Sequence, residues 1–451
     1  MTEELQYRKM TQTPIPRLIV SLAAPSTLSM LITSVYNMTD TYFVSKLGLS
    51  AAAAVGVVFA LMSLIQAIGF TIGMGTSSFI SRFLGEKEEE TANRYAAGAL
   101  AMAGILGSVL AVVGLLTLTP LMRLLGSTET ALPYAREYAK YILIGSPVMC
   151  LVFVLNNILR AEGHASLSMI GVVSGGILNM ILDPILIFGC DLGIAGAAIA
   201  TLAGQITSLC LLISVFFMGK TVVKPSFSKI PRSFRFYVSI FANGCPTLCR
   251  QGLASVASAL LAITAKPYGD GAIAAMTIAS KIYTMIRSCV VGIGQGFQPM
   301  AGYNYGAGRY DRVKKGFFFT VALGSAVCVI AAVGLAFCAP NVIAWFRKTD
   351  AEVIVIGART LRFFCMVLPL LAYSTYVNQM LQCLGRSKSA AFLASCRQGV
   401  FFIPLLLLLS RLWGLTGMEC TQAVADFLTF CISIPFQIVF FRKALSISET
   451  G

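Results

Sequence analysis

GMGTSSFISRFLG, residues 73–85, and GQGFQPMAGYNYG, residues 294–306, are one stretch written twice. Gly73-x-Gly75-(x)9-Gly85 recurs as Gly294-x-Gly296-(x)9-Gly306, 221 residues later. Working outward, Pro25 answers to Pro246, Gly48 to Gly269, and Ala51 and Ala54 to Ala272 and Ala275. Pro147, Asn156, Leu159 and Gly163 return as Pro369, Asn378, Leu381 and Gly385, and GIAG at 193–196 returns as GLTG at 414–417. One shared glycine is noise. A constant offset held across both halves is a duplication.

What is duplicated is a set of membrane spans. The 451 residues are 57% hydrophobic and only 12% charged, with a mean hydropathy of +0.80, far from the balance of a soluble domain. Apolar windows of roughly 20 residues, enough to cross about 30 Å of hydrocarbon as helix, recur along the chain. Six centre near residues 30, 67, 106, 147, 177 and 206, and six more near 250, 287, 329, 368, 400 and 428. The expected fold is all-α and integral to the membrane, with twelve transmembrane helices in two six-helix bundles. An even number of spans per half gives both halves the same orientation, so a pseudo-twofold along the membrane normal should relate them across a central cavity. The expected units are an N-terminal lobe (1–219, spans 1–6), a cytoplasmic linker (220–235) and a C-terminal lobe (236–451, spans 7–12). The linker carries Pro225 and Pro231 and falls where the duplication requires a junction. The polar N-terminus lacks the apolar core and cleavage site of a signal peptide.

A net charge of +15 raises the question of nucleic acid. No basic stripe here is interleaved with base-stacking aromatics, so nucleic acid is not an expected partner. Instead Lys and Arg gather in alternate loops, as at Arg82, Lys87 and Arg94, at Lys220 to Arg235, and at Arg309 to Lys315. Loops of that parity hold about 20 basic residues against about 10 in the others, which places both termini in the cytoplasm.

Spacing excludes several chemistries. His164 is the only histidine, which removes His-pair metal sites and Ser-His-Asp triads; it stands in a short loop and is expected on the surface. Gly219-Lys220-Thr221 looks like the end of a phosphate loop, but Ser214 stands where the first glycine belongs. The thirteen cysteines form no Cys-x-x-Cys pair and read as small apolar residues without disulfides. The chain is not expected to be an enzyme or to carry a cofactor.

What remains is charge inside the hydrocarbon. Asp40 lies in span 1 within VYNMTDTYF, and Asp183 in span 5 within ILNMILDPIL. A carboxylate at mid-span costs about 2.5–3.5 kcal/mol on insertion scales, so each needs a compensating role. Tyr36 and Asn179 each precede their aspartate by four residues and share its helix face. Asn157 of span 4 and Thr201 of span 6 could complete an oxygen-rich cage. Two carboxylates there cannot both stay ionised without a cation, so one of them should titrate within the physiological range. The plainer reading leaves Asp40 near a helix end and Asp183 ahead of a kink at Pro184. The second half lacks the cage: Leu261 replaces Asp40, and Asp426 falls opposite Gln205. Arg250, Lys281, Arg287 and Arg397 bring positive charge there instead, either paired with Asp426 or Glu419 and snorkelling, or lining a substrate cavity.

These residues resemble the multidrug and toxic compound extrusion (MATE) transporters, in particular a prokaryotic DinF-like branch, over nearly the whole chain. Asn37, Asp40 and Phe43 match the family's span-1 motif, and Asn157, Asn179, Asp183 and Thr201 match polar positions on spans 4, 5 and 6. Residues 298–307, QPMAGYNYGA, match its repeat signature, and Pro25 matches the proline where span 1 is thought to bend. Acidic residues that another branch carries on spans 7 and 10 are missing, which argues against a second-lobe sodium site. The resemblance implies an antiporter of a bacterial or archaeal cytoplasmic membrane, expected as a monomer among membrane lipids. It would export amphipathic, often cationic drugs while H+ or Na+ runs inward to Asp40, Asn179, Asp183 and Thr201. An organic cation should lie nearer the carboxylate-bearing first lobe, away from the second-lobe arginines. The competing reading is a lipid-linked precursor flippase, kept open by Arg250, Arg397, Lys281 and Arg287.

Overall fold

The structure, a computed structural model, describes residues 3–346 and 351–449, and the regular elements among them are all helices. A short N-terminal helix, Glu3–Gln12, precedes α1 (Ile15–Ser45), α2 (Leu49–Gly85), α3 (Glu89–Leu116), α4 (Leu132–Ala161), α5 (Ala165–Pro184) and α6 (Gly193–Phe217). The second half runs α7 (Phe234–Ala265), α8 (Asp270–Gly306), α9 (Tyr310–Phe346) and α10 (Ala351–Cys383). Next, α11 starts as Ser387–Ser395, passes through a π turn at Cys396–Phe401 and enters Phe402–Glu449. That last helix breaks at Gly414, whose φ of 58° and ψ of −133° suit glycine, and residues 415–449 form α12.

Length and composition alone mark ten stretches among the described residues as able to cross a membrane. The last of them, Ser387–Arg442, contains both α11 and α12. The helix left out is α8, which spends its apolar allowance on Lys281, Arg287, Gln295, Gln298 and Asn304. Part of that polar character has a structural cause, because Gln295 and Asn304 bond Arg160 and the Met10 carbonyl of the first half.

The duplicated glycine stretch is where the lobes meet. A Cβ on Gly75 of α2 would stand 2.2 Å from the Ile240 carbonyl oxygen of α7, and one on Gly296 of α8 would stand 2.4 Å from the backbone nitrogen of Ala23 on α1. Gly85 presses on the Tyr303 carbonyl and Gly306 on that of Arg82, at 2.3 and 2.2 Å by the same measure. Arg82 and Tyr303 are themselves 221 residues apart. Each contact thus has a partner related by exchange of the halves, as a twofold axis between them requires. Each of these glycines lies in residues 71–85 or 292–306, so the seam joins the lobes along the C-terminal parts of α2 and α8, the end where the N-terminal helix packs. Gly73 and Gly294 serve inside the lobes, making room for Asn157 of α4 and Gln379 of α10.

Two further pieces tie down that end. The last turn of the N-terminal helix and the residue after it give the Met10, Thr11 and Thr13 carbonyls to Asn304, Arg309 and Arg312 at 3.0, 2.9 and 2.7 Å. The segment between α6 and α7 is held to the first lobe, where Val222 and Val223 donate their N–H groups to Glu162 and Lys224 donates to Asn93. The expectation of a surface His164 is corrected: its side chain is 7% exposed. The loop between α4 and α5 folds under this segment, with His164 Nε2 3.9 Å from Glu162 Oε2. Burial, with help from Lys9, holds the imidazole down at about 4. Burial likewise pushes Glu162 up to about 8, against the opposing pull of the Val222 and Val223 amides.

Candidate ion and substrate site

Asp40 stands five residues from the end of α1, yet it is only 9% exposed, and Asp183 is fully buried. Both face inward because the first lobe wraps polar groups around them. Tyr138, in the second turn of α4, donates its hydroxyl to Asp40 Oδ2 at 3.2 Å. The same phenol lies beside the Thr201 hydroxyl and feels the charge of Asp183. On α5, Asn179 Nδ2 bridges Asp183 Oδ1 at 3.4 Å and Thr201 Oγ1 at 3.2 Å. One polar chain therefore runs Asp40, Tyr138, Thr201, Asn179, Asp183. It leaves three buried oxygens without a hydrogen-bond partner: Asp40 Oδ1, Asn179 Oδ1 and Asp183 Oδ2.

Tyr36 packs its ring over Gly176 of α5 and lies in the field of Asp40. Tyr36, Asn179 and Thr201 also line a chamber of about 230 Å3 that extends along the lobe past Gln205 and Ser208 to Asn156 and Arg160. The two carboxylates sit behind that wall. Asn157 does not face this chamber. It donates to the Phe153 carbonyl at 2.7 Å and packs against Gly73, and Asn156 lines the chamber in its place. Pro25 lies inside α1, well along the helix from the cage, with Ser29 bonded to its carbonyl.

At the chamber's far end Arg160 of α4 donates to Ser168 of α5 at 3.2 Å, and Ser168 to Asn156 at 2.6 Å. Arg160 also bonds Gln295 of α8, which links the two lobes.

The second lobe is a copy in fold and not in chemistry. Leu261, Phe401 and Leu405 stand where the cage would recur, and they join an apolar cluster around Phe402 and Leu406. Arg397 of α11 pairs with Asp426 of α12 at 2.6 Å and donates to the Tyr283 hydroxyl at 2.6 Å. Tyr283 in turn bonds Asp426. Glu419 is held by Arg359 in a two-pronged pair at 2.5 and 2.8 Å and does not meet the cavity arginines. Arg250 and Arg287 are half-buried, whereas Lys281 is exposed and stands apart from them.

Tyr138 was not among the expected site residues. In PYAREYAK, residues 133–140, it reads as one more interfacial tyrosine at the polar start of a span. Period does not single it out, because Tyr134, Tyr138 and Tyr141 are four and three apart and fall near one helix face. No cluster of three or more His, Cys, Asp or Glu side chains that could hold a transition metal occurs among the described residues.

Comparison with known proteins places this arrangement. The MatE family model matches residues 25–185 and again 246–408, once in each lobe, with starts 221 residues apart. The multidrug export protein MepA of Staphylococcus saprophyticus is 26% identical over 428 residues, covering 94% of this chain and 93% of that protein. MepA of Staphylococcus aureus is 26% identical over 444 residues, covering 98% and 96%. A MATE protein solved in the straight conformation superposes with a TM-score of 0.92 at 24% identity, over 98% of this chain and 99% of that one. An outward-facing multidrug resistance MATE family transporter gives 0.91 at 25%, over 97% and 98%. The family model covers well over half of the residues and repeats at the offset of the internal duplication; the chain belongs to the MatE family of membrane transporters.

Proposed function

We propose that the protein is a secondary antiporter that exports amphipathic, often cationic, organic compounds in exchange for inward H+ or Na+. The observation that carries this reading is the cage, with two buried carboxylates joined by one polar chain and three oxygens left to accept a cation or proton. Buried polar atoms are nearly always satisfied, so three orphan oxygens in one place support a site that cycles between filled and empty. The relatives named multidrug export proteins support the substrate class.

Positive loops put the termini in the cytoplasm, so the glycine seam closes the cytoplasmic end and the cleft opens outward. In that state Asp40 and Asp183 would take up the driving ion from outside. Loading the cage neutralises it, which weakens its hold on a cationic substrate, and α1 can adjust about Pro25. The substrate leaves outward and the lobes rock about the seam. The ion then leaves to the cytoplasm, where the gradient favours release. Exchange of one monovalent cation for one H+ is electroneutral, whereas two ions per substrate would add the membrane potential, about 2.3 kcal/mol per charge per 100 mV. A flippase for lipid-linked precursors would often carry spans beyond twelve, and a passive channel would leave Asp40 and Asp183 without a role, which favours the antiporter.

The test is efflux of a fluorescent organic cation from proteoliposomes under separately imposed pH and Na+ gradients. Export should follow at least one inward gradient; export indifferent to both would overturn the reading.

A further inference from the structure

The offset that relates the lobes carries the chamber of the first onto a second set of residues. Ser29, Gln66, Gly175 and Gln205 line the first-lobe chamber. Moved on by 221 or 222 residues, the same places hold Arg250, Arg287, Arg397 and Asp426. By the pseudo-twofold, the positions where that chamber wall would recur in the second lobe hold three guanidiniums and one carboxylate.

The single carboxylate is already committed. Asp426 accepts from Arg397 at 2.6 Å, from Gln422 at 3.0 Å and from Tyr283. Arg250 and Arg287 have no ion pair or hydrogen bond among the described residues; Arg250 lies within electrostatic range of Arg287 and Arg397, and Arg287 within range of Arg397, Tyr283 and Asp426. Arg287 stands one helical turn beyond Tyr283 on the same face of α8. Two positive charges are thus left unbalanced beside a membrane cavity. Arginine in such a place is costly and marks a functional site by default. Its planar fork matches carboxylate and phosphate oxygens in pairs. The backbone agrees: Arg397 and Gln398 sit in a π turn, a rare geometry found mostly where function requires it.

We propose that this second-lobe wall is an anion-binding subsite, in which Arg250 and Arg287 hold a carboxylate or phosphate of the transported molecule beside the Arg397–Tyr283–Asp426 lock. The cavity then has two poles, an acidic one in the first lobe and a basic one in the second. An amphiphile with a cationic end and an anionic end fits both, and it should bind better than a plain cation of the same body. The subsite stands on the arginine geometry; only its use in transport rests on the antiporter reading.

The experiment measures equilibrium binding of two rhodamines of one body, the free carboxylate and its ethyl ester, to purified protein in nanodiscs of neutral lipid. The carboxylate should bind at least about tenfold tighter than the ester, and that ratio should fall to about one in Arg250→Gln and in Arg287→Gln. Arg287→Lys should restore part of it. A parallel arm with lysophosphatidic acid and its neutral monoacylglycerol counterpart identifies a lipid phosphate as the occupant if only that pair shows the arginine dependence. Equal affinities within both pairs, or preferences that survive both substitutions in protein with a native melting profile, overturn the subsite. Gradient-driven transport of the ester by the unaltered protein is scored separately. Its failure counts against the antiporter and leaves the binding ratio to judge the arginines.

Discussion

Tyr138 of α4 donates its hydroxyl to Oδ2 of Asp40 on α1 at 3.2 Å, and through that bond the two ends of the first lobe's polar chain are joined. The phenol also lies beside Thr201, which Asn179 links to Asp183. Tyr138 is therefore the piece that lets the two aspartates act as one site. A hydrogen bond to a charged group contributes about 1.5–3 kcal/mol. Tyr138→Phe keeps the ring and removes only the donor, so coupled export should fall by about tenfold while dye binding persists. Export at the unaltered rate in Tyr138→Phe would place the phenol outside the mechanism.

The seam makes a steric prediction. A methyl group on Gly75 would meet the Ile240 carbonyl at 2.2 Å, a backbone atom that cannot swing aside, whereas Gly56 on the same helix has open space. Overpacking of this kind costs about 1–3 kcal/mol. Gly75→Ala should raise hydrogen exchange across residues 71–85 and 240–244 at least fivefold or so, and slow export, with Gly56→Ala as the silent control. Equal exchange in the two variants would mean the lobes are not held by this contact.

Glu162 makes a prediction about pH. Burial pushes its carboxyl up to about 8 from an ordinary 4.5, so the folded protein keeps a proton that the unfolded chain releases. The folded state binds more protons between those values, and stability must fall as pH rises through that window. The contribution is whole below about 4.5 and lost by about 8. Melting temperature should decline from pH 5 to pH 8.5, and Glu162→Gln, which can still accept from the Val222 or Val223 amide, should flatten the decline. The same slope in the variant would show that other groups cause it.

Much of the fold is legible in the residues, because a helix that crosses lipid must be apolar over its length and a duplication must repeat its special residues. Asp40, Asn179, Asp183 and Thr201 are legible for the same reason, since a polar group in hydrocarbon needs an excuse. What period alone does not tell is which of two adjacent residues points inward. Asn156 and Asn157 are neighbours, and only packing of Asn157 against Gly73 shows that Asn156 has the chamber. The burial of His164 has no local mark, because it comes from distant pieces, Val222 and Val223 bonding Glu162 and the N-terminal helix packing on Gly163. Arg397 could be matched to Asp426 by type, but its release from the regular ladder at 396–401 has no sequence mark. Apolar content also undercounts α8, where Gln295 and Asn304 bond the first half.

The central claim is that the first-lobe carboxylates couple export to the ion, and Asp40→Asn in proteoliposomes tests it most directly. The amide keeps the shape and the Tyr138 contact but cannot gain or lose the charge. Two rates are measured side by side: dye export driven by an imposed inward H+ or Na+ gradient, and dye-for-dye exchange with no gradient. The account expects gradient-driven export to drop at least about a hundredfold while exchange stays within a few fold of the unaltered protein. Gradient-driven export at an undiminished rate in Asp40→Asn would contradict it.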